Sequence, residues 1–388
     1  MKSCLDARYI KLIERLLAIR NNTGCTQDEL SLALHQPPGF VNAIENFSRP
    51  LEIVQLYDWL NALQYDVKQF FAEIDWFIDN QADNRSLPAL PIPGAARDVF
   101  NGVAIPMAWQ GQRREVIIEG MAAQEFTALE RVITSIYQKL NSTRPSLKNR
   151  EAIFQALKAA IYGFPHVNPS DLYHHVVYRL YLREYSQTQA DRSWVRAGGE
   201  ALELFVEDHY NRVLESYGIK LRWLVTEKLK AQALAQMGLT NLVGGSKLDI
   251  ALYGLVGDKE VIFGGIHVKA SLAERVSDDV PCSVAMINRG YCSYLLTLDA
   301  KSFPPPTGDL VNKGELGSLT SASDKRIYIE THGSFTGCYS YNLRTIPSGL
   351  RTQSGRKIYA STFESDSDAL PNHIREAWKA FLQRLRVA

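Results

Sequence analysis

Cysteine is scarce in this chain. Cys4, Cys25, Cys282, Cys292 and Cys338 are odd in number and scattered. No disulfide framework and no paired-cysteine zinc site is expected, and a reducing compartment fits. Net charge is nearly missing too: 43 basic against 42 acidic side chains leave +1. Bulk charge therefore announces no nucleic-acid partner, and any basic surface must be local. No apolar run approaches the ~20 residues of a membrane span. The first residues also lack the apolar core of a signal peptide. No membrane partner is expected, and a cytoplasmic location is. Internal repeats and low-complexity tracts are absent as well. What remains is a globular sequence of 388 residues, 46% hydrophobic and 22% charged. That is too long for one ordinary core, so two or three domains are expected.

Residues 1 to 78 alternate helical periodicity with short turns. Tyr9, Leu12, Ile13, Leu16, Leu17 and Ile19 mark one apolar stripe, as expected of an amphipathic helix. Thr26-Gln27-Asp28-Glu29 has the form of a capping box, with Thr26 as cap and Glu29 reaching back. Gln36-Pro37-Pro38-Gly39 breaks that helix and Phe40 to Glu45 starts another. The run from Thr26 to Leu34, with Val41, Ile44-Glu45 and Arg49-Pro50, resembles the repressor-type (Xre-like) helix-turn-helix family. The resemblance implies DNA contacts from Gln36 and Asn42. Pro37-Pro38-Gly39 departs from the pattern where small polar residues usually face bases. A docking or dimerisation module is the plainer alternative.

From 79 to 190 a linker and a helical region are expected. Pro88, Pro91, Pro93 and Gly94 read as irregular chain. Helical spacing returns at Phe126 to Tyr137 and at Ile153 to Ile161. His174 and His175 are adjacent, so on a helix they do not share a metal, and both read as surface or boundary residues.

The third region, 191 to 388, carries the chemistry. Glu200, Glu203 and Glu207 lie at i, i+3 and i+7 of a long helix, on one face. A hairpin follows, with Asp249 opening its first strand, a turn at Gly257-Asp258-Lys259, and His267-Val268-Lys269 closing its second. If Gly264-Gly265 absorbs a bulge, Asp249 stands beside His267 and Lys269. An acid and an amine at one end of a twisted sheet suit a magnesium-dependent phosphodiesterase. The carboxylate holds Mg2+, the metal acidifies its water, and the lysine orients that water or offsets charge. A helix after Ser277-Asp278-Asp279, a buried strand from Tyr291 to Leu298, a strand from Arg326 to Glu330 and a closing helix over 371 to 386 complete the expectation. On that last helix Ile374, Trp378, Phe381 and Leu385 share a side.

Arg196-Ala-Gly with Leu202-Glu203-Leu204, then Lys247-Leu-Asp249 to His267-Val-Lys269, then Glu274-Arg275, resemble the type II restriction endonucleases of the PD-(D/E)xK superfamily, in particular the EcoRII-like and BsaWI-like catalytic regions. The resemblance spans about residues 192 to 300. It implies a multidomain α plus α/β chain. A helix-turn-helix bundle and a helical middle region would precede a restriction-endonuclease-like α/β/α core with a mixed sheet. It implies a site-specific deoxyribonuclease that cuts double-stranded DNA with magnesium, as a homodimer or higher oligomer, beside a methyltransferase acting on the same site.

Asp249 would bind the metal with the Val268 carbonyl, Lys269 would position water with His267 beside it, and Glu203 would support them. Glu274 and Arg275, together with Arg196, would contact DNA; an arginine fork and a carboxylate read a G·C pair. The second acid usual two residues before the lysine is here His267. Relatives of the EcoRII type move it thirteen residues past the lysine, which is Cys282 here, so Asp278 or Asp279, about one turn back, would supply it. Two other functions fit the same residues: a DNA-binding regulator with an inactive nuclease-like domain, and a methylation-dependent nuclease.

Overall fold

The computed structural model describes residues 7–67, 69–70, 89–109, 112–141, 148–185, 190–240, 248–272, 276–300, 311–364 and 368–387. The chain forms two compact units, 1–87 and 88–388. In the first, α1 (Ala7–Asn22), α2 (Gln27–Ala33), α3 (Phe40–Glu45) and α4 (Ile53–Ala62) enclose a core of their own around Leu16, Leu30, Val41, Ile44 and Trp59. The capping box is present: Glu29 N donates to Thr26 Oγ1 at 3.2 Å, and Thr26 N donates to Glu29 Oε2 at 2.8 Å.

The second unit is not divided at residue 190. One continuous core runs from Ala89 to Trp378 and takes in both the middle region and the nuclease-like region. Nor is the stretch from 90 to 119 an irregular linker. It contains β1 (Leu90–Pro91), β2 (Arg97–Val99), β3 (Gly102–Trp109) and β4 (Gln112–Glu119), with β3 paired antiparallel to the other three. Val103, Ile105 and Met107 of β3 and Val116 and Ile118 of β4 enter the core at the alternate spacing of a strand. Pro106 inside β3 is what makes the sequence read as a loop, since proline lacks the ladder N–H.

Helices α5 (Ala123–Gln138) and α6 (Asn149–Gly163) follow, then a π-helical stretch Leu172–Val177 leading into α7 (Tyr178–Glu184). His175 lies on that stretch and is buried, not superficial. The long helix α8 (Ala190–Leu214) precedes β5 (Ile219–Trp223) and α9 (Glu227–Gln236).

The hairpin of β6 (Ile250–Val256) and β7 (Lys259–Lys269) turns at Gly257-Asp258, where Gly257 has φ +59, a conformation glycine takes without strain. Ile250 pairs with Ile266, and the register slips where Leu252 faces Gly264 and Tyr253 faces Ile262. The extra residue is Phe263, one before the glycine pair. Helix α10 (Val276–Asn288), β8 (Cys292–Thr297), α11 (Asp324–Glu330), β9 (Gly337–Ser340), β10 (Ile358–Ala360) and α12 (Leu370–Val387) complete the unit.

The six-stranded sheet has the order β10-β9-β8-β7-β6-β5, antiparallel from β5 to β7 and parallel from β7 to β10. One face packs through Ile250, Ile266, Val268 and Leu296 onto the core that includes α6, α8 and α12. The other face covers Ala251, Tyr253 and Ile262 with α9 and α10, and Leu295 and Cys338 with α11. The result is an α/β/α sandwich.

Residues 326 to 330 form the end of a helix, not a strand. Ser323 Oγ accepts from Arg326 N, and Arg326 pairs with Glu330 at 2.6 Å one turn on. These local bonds override the β-favouring Ile-Tyr-Ile run. On α12, Ile374 and Trp378 are buried, but Leu385 is 47% exposed. Among the described residues no helix is long and apolar enough to cross a membrane.

Candidate active site

Three strands and two helices meet where the hairpin ends. Asp249 immediately precedes β6, and its carbonyl accepts from Leu224 N at 2.9 Å, which fixes the backbone there. Its Oδ2 accepts from Val268 N at 2.8 Å and from Lys269 Nζ at 3.0 Å. The hairpin register places this acid and this amine together. Asp279, in the first turn of α10, puts its Oδ2 3.1 Å from the same ammonium. That oxygen is buried and makes no directed hydrogen bond among the described residues, so the contact with Lys269 is an ion pair poorly aligned for a hydrogen bond. Asp279 is 1% exposed, whereas its neighbour Asp278 is exposed.

Glu203 of α8 is the third acid. Its Oε2 accepts from Trp223 Nε1 at 2.6 Å, while Glu207 Oε1 accepts from Trp223 N at 3.0 Å. Glu200 meets Arg150 at 3.3 Å and Arg196 at 2.8 Å. The carboxylate row of α8 is therefore a set of buried or half-buried ties, not a solvated face.

The electrostatics follow from crowding. Burial, and then the nearby Asp249 charge, push the Glu203 carboxyl up to about 7. Burial also raises Asp279, against the pull of His267 and Lys269. Burial alone would lower Lys269, but Asp249 and then Asp279 outweigh it and hold the ammonium well above its ordinary value. Two anions share one cation, and a third acid faces them.

His267 is fully buried beneath the site. Its Nε2 lies 3.1 Å from Ser293 Oγ, and its charge acts on Asp279. It stands behind the displaced acid and not at the open end of the strand. Val268 gives its side chain to the core and its amide to Asp249. Arg196 is the most open of the expected residues, with its side chain 87% exposed and paired to Glu200. Asn42 is exposed and Gln36 half-buried, both in the first unit. Glu274 and Arg275 lie outside the described residues.

Sequence reasoning passed over Trp223 and Lys230. Lys230, on α9, acts on the Glu203 charge, and its side chain is 20% exposed. A tryptophan ending a short strand, followed by a capped helix with a lysine in its first turn, is a signal the sequence does offer.

All the oxygens gathered here are hard donors, and one buried carboxylate oxygen lacks a directed partner. That fits a small divalent cation. Among the described residues, however, no three ligand-type side chains already stand together as a cage. The amine of Lys269 occupies the space between the acids.

Comparison with known proteins adds the family. Residues 225–367 match the family described as BsaWI restriction endonuclease type 2. The chain is 46% identical over 258 residues to the type II restriction enzyme AgeI of Thalassovita gelatinovora, across 63% of this chain and 92% of that relative. It also superimposes on the crystal structure of the specific AgeI–DNA complex with a TM-score of 0.65 and 43% identity, over 69% of this chain and 96% of that one. With 46% identity across nearly the whole of such a relative, this chain belongs to the type II restriction endonucleases, the site-specific deoxyribonucleases.

Proposed function

We propose that the enzyme uses magnesium to cut both strands of a specific, G/C-containing duplex at the Asp249–Lys269–Asp279 site. The observation that carries this reading is one ammonium shared by two buried carboxylates, with Glu203 facing them. Asp249 and Asp279 would hold the ion, with the Val268 carbonyl as a further ligand. When bound, magnesium acidifies its water and offsets charge on the phosphate.

The chain's own residues do the rest. Lys269 stays protonated at neutral pH, so it donates: it orients the attacking water and balances charge on the phosphate, and it takes no proton. Glu203, near half-ionised at neutral pH, is the group able to accept the proton from that water. His267 and Trp223 act from behind, His267 on Asp279 and Trp223 on Glu203. Glu274 and Arg275 read a G·C pair from the loop before α10.

The first unit is a helix-turn-helix module, with Asn42 and Gln36 towards DNA. The enzyme works in the cytoplasm as a homodimer, since two-fold symmetry matches a symmetric duplex site, beside a methyltransferase of the same specificity.

Purified full-length protein incubated with mixed plasmid DNA, with and without magnesium, tests the core of this. Discrete fragments that require magnesium support it. Fragments from methylated DNA alone would make the enzyme methylation-dependent. Intact DNA from a folded protein would leave a DNA-binding regulator.

A further inference from the structure

A cleft of about 600 Å3 opens beside the catalytic groups. It begins at Lys269 and Glu203, passes Gly199 and Arg196 on α8, and ends at an aromatic wall that includes Tyr178 and Trp194. The ring centroids of these last two lie 4.8 Å apart. Arg196, Gly199 and Glu203 stand at i, i+3 and i+7, so they share the face of α8 that borders the cleft.

The two glycines of this helix differ. A Cβ at Gly198 would come within 2.8 Å of the Trp194 ring, so packing explains that glycine. A Cβ at Gly199 would meet nothing within 4 Å, although the residue is half-buried in the cleft wall. Glycine inside a helix is less stable than alanine. Packing within the chain gives no reason for it at 199, and the empty space faces the path a substrate must take to reach Lys269.

We infer that the DNA strand being cut runs along this face of α8, with its backbone pressed against Gly199 and a phosphate next to the scissile one met by Arg196. The wall of Tyr178 and Trp194 is apolar and suits deoxyribose. Arg196 is free to turn to a phosphate because Glu200, its present partner at 2.8 Å, keeps a second arginine, Arg150, at 3.3 Å. This path rests on the catalytic placement of Lys269 and Glu203, so its test is made on binding without metal as well as on cleavage.

The probe is a short duplex carrying a site at which the wild-type protein cuts. For Arg196→Ala, the slope of log affinity against log salt should flatten by about 0.9, the value for one phosphate contact. Replacing a phosphate beside the cut by a neutral methylphosphonate should weaken the wild type and add nothing further to Arg196→Ala. Gly199→Ala should melt at or above the wild-type temperature. Gly199→Leu should cut roughly a hundredfold more slowly, the scale of a substrate held about 1 Å out of place. Wild-type cleavage by a folded Gly199→Leu, or a methylphosphonate loss at every tested position as large in Arg196→Ala as in wild type, overturns the inference. Should Gly199→Leu not fold, the methylphosphonate comparison alone decides. Failure of metal-dependent cleavage in Asp249→Asn with unchanged binding concerns the catalytic assignment and leaves the strand path standing.

Discussion

Two buried ion clusters, one in each unit, show opposite balances. In the first unit Arg20 of α1 meets Glu45 of α3 in a two-pronged pair, at 2.7 and 2.9 Å. Its remaining nitrogen donates to the Cys25 carbonyl at 2.8 Å, and Gln27 of α2 donates to Glu45 at 2.6 Å. One charge answers one charge, the described contacts serve both, and three helices are tied together. In the second unit Lys269 answers two carboxylates at once, one of which has a buried oxygen without a directed bond. The same kind of interaction is complete in one place and short of positive charge in the other. A complete pair fixes a fold, whereas an under-neutralised one is built to take a further cation.

Removing one acid from each cluster should therefore act in opposite ways. Asp249→Asn and Asp279→Asn should each lower cleavage by roughly 10³-fold or more, the scale of losing one member of a catalytic group. Thermal stability should hold or rise in Asp279→Asn, because Lys269 keeps Asp249. Glu45→Ala should leave Arg20 buried without a partner and destabilise the first unit by roughly 3–5 kcal/mol. Plasmid cleavage, melting curves and magnesium titration calorimetry on the three variants measure this. An Asp279→Asn protein that unfolds like Glu45→Ala would erase the distinction between the clusters.

A smaller effect separates the clusters by pH. Glu203 is pushed up from an ordinary carboxyl value of 4.5 to about 7. Between these limits the folded chain holds this proton and the unfolded chain has released it. The contribution of Glu203 to stability is thus favourable at the low end and falls as pH rises through about 7. Glu203→Gln should gain stability relative to wild type across that window in the metal-free protein, and the difference should be flat above it. Denaturant unfolding at several pH values gives the curve. A difference that stays constant from pH 4.5 to 7 would show that Glu203 does not feel the crowding.

Much of the site was legible because its signals are local. The hairpin has period two, a Gly-Asp turn and a bulge beside Gly264-Gly265, and the register then carries Asp249 to Lys269. Even the choice of Asp279 was available: Val276, Asp279, Cys282 and Met286 are all buried on α10, spaced as one helical face. What stayed illegible is set by distant contacts. The strands before residue 120 show their faces only against helices far along the chain, and Pro106 disguises them. The boundary at 190 fails because α6 and α8 bury their faces on each other and on the sheet. The segment 326 to 330 misleads because Ser323 and the Arg326–Glu330 pair decide between two periodicities that are equal over five residues.

The smallest expected effect is at Asp278, and it sharpens the comparison most narrowly. Consecutive residues of a helix point about 100° apart. With Asp279 turned under Lys269, Asp278 faces outward, and it is exposed. It does have a role in the first turn of α10, where a carboxylate complements the helix dipole by about 0.3–1 kcal/mol. Asp278→Asn should therefore lower stability by no more than that and leave cleavage within a few-fold of wild type, while Asp279→Asn stops it. Cleavage rates of the two single variants, measured side by side at saturating magnesium, settle which acid serves the metal. If Asp278→Asn is the inactive one, α10 must rotate by about one residue when DNA and metal bind, and the exposed acid becomes the ligand.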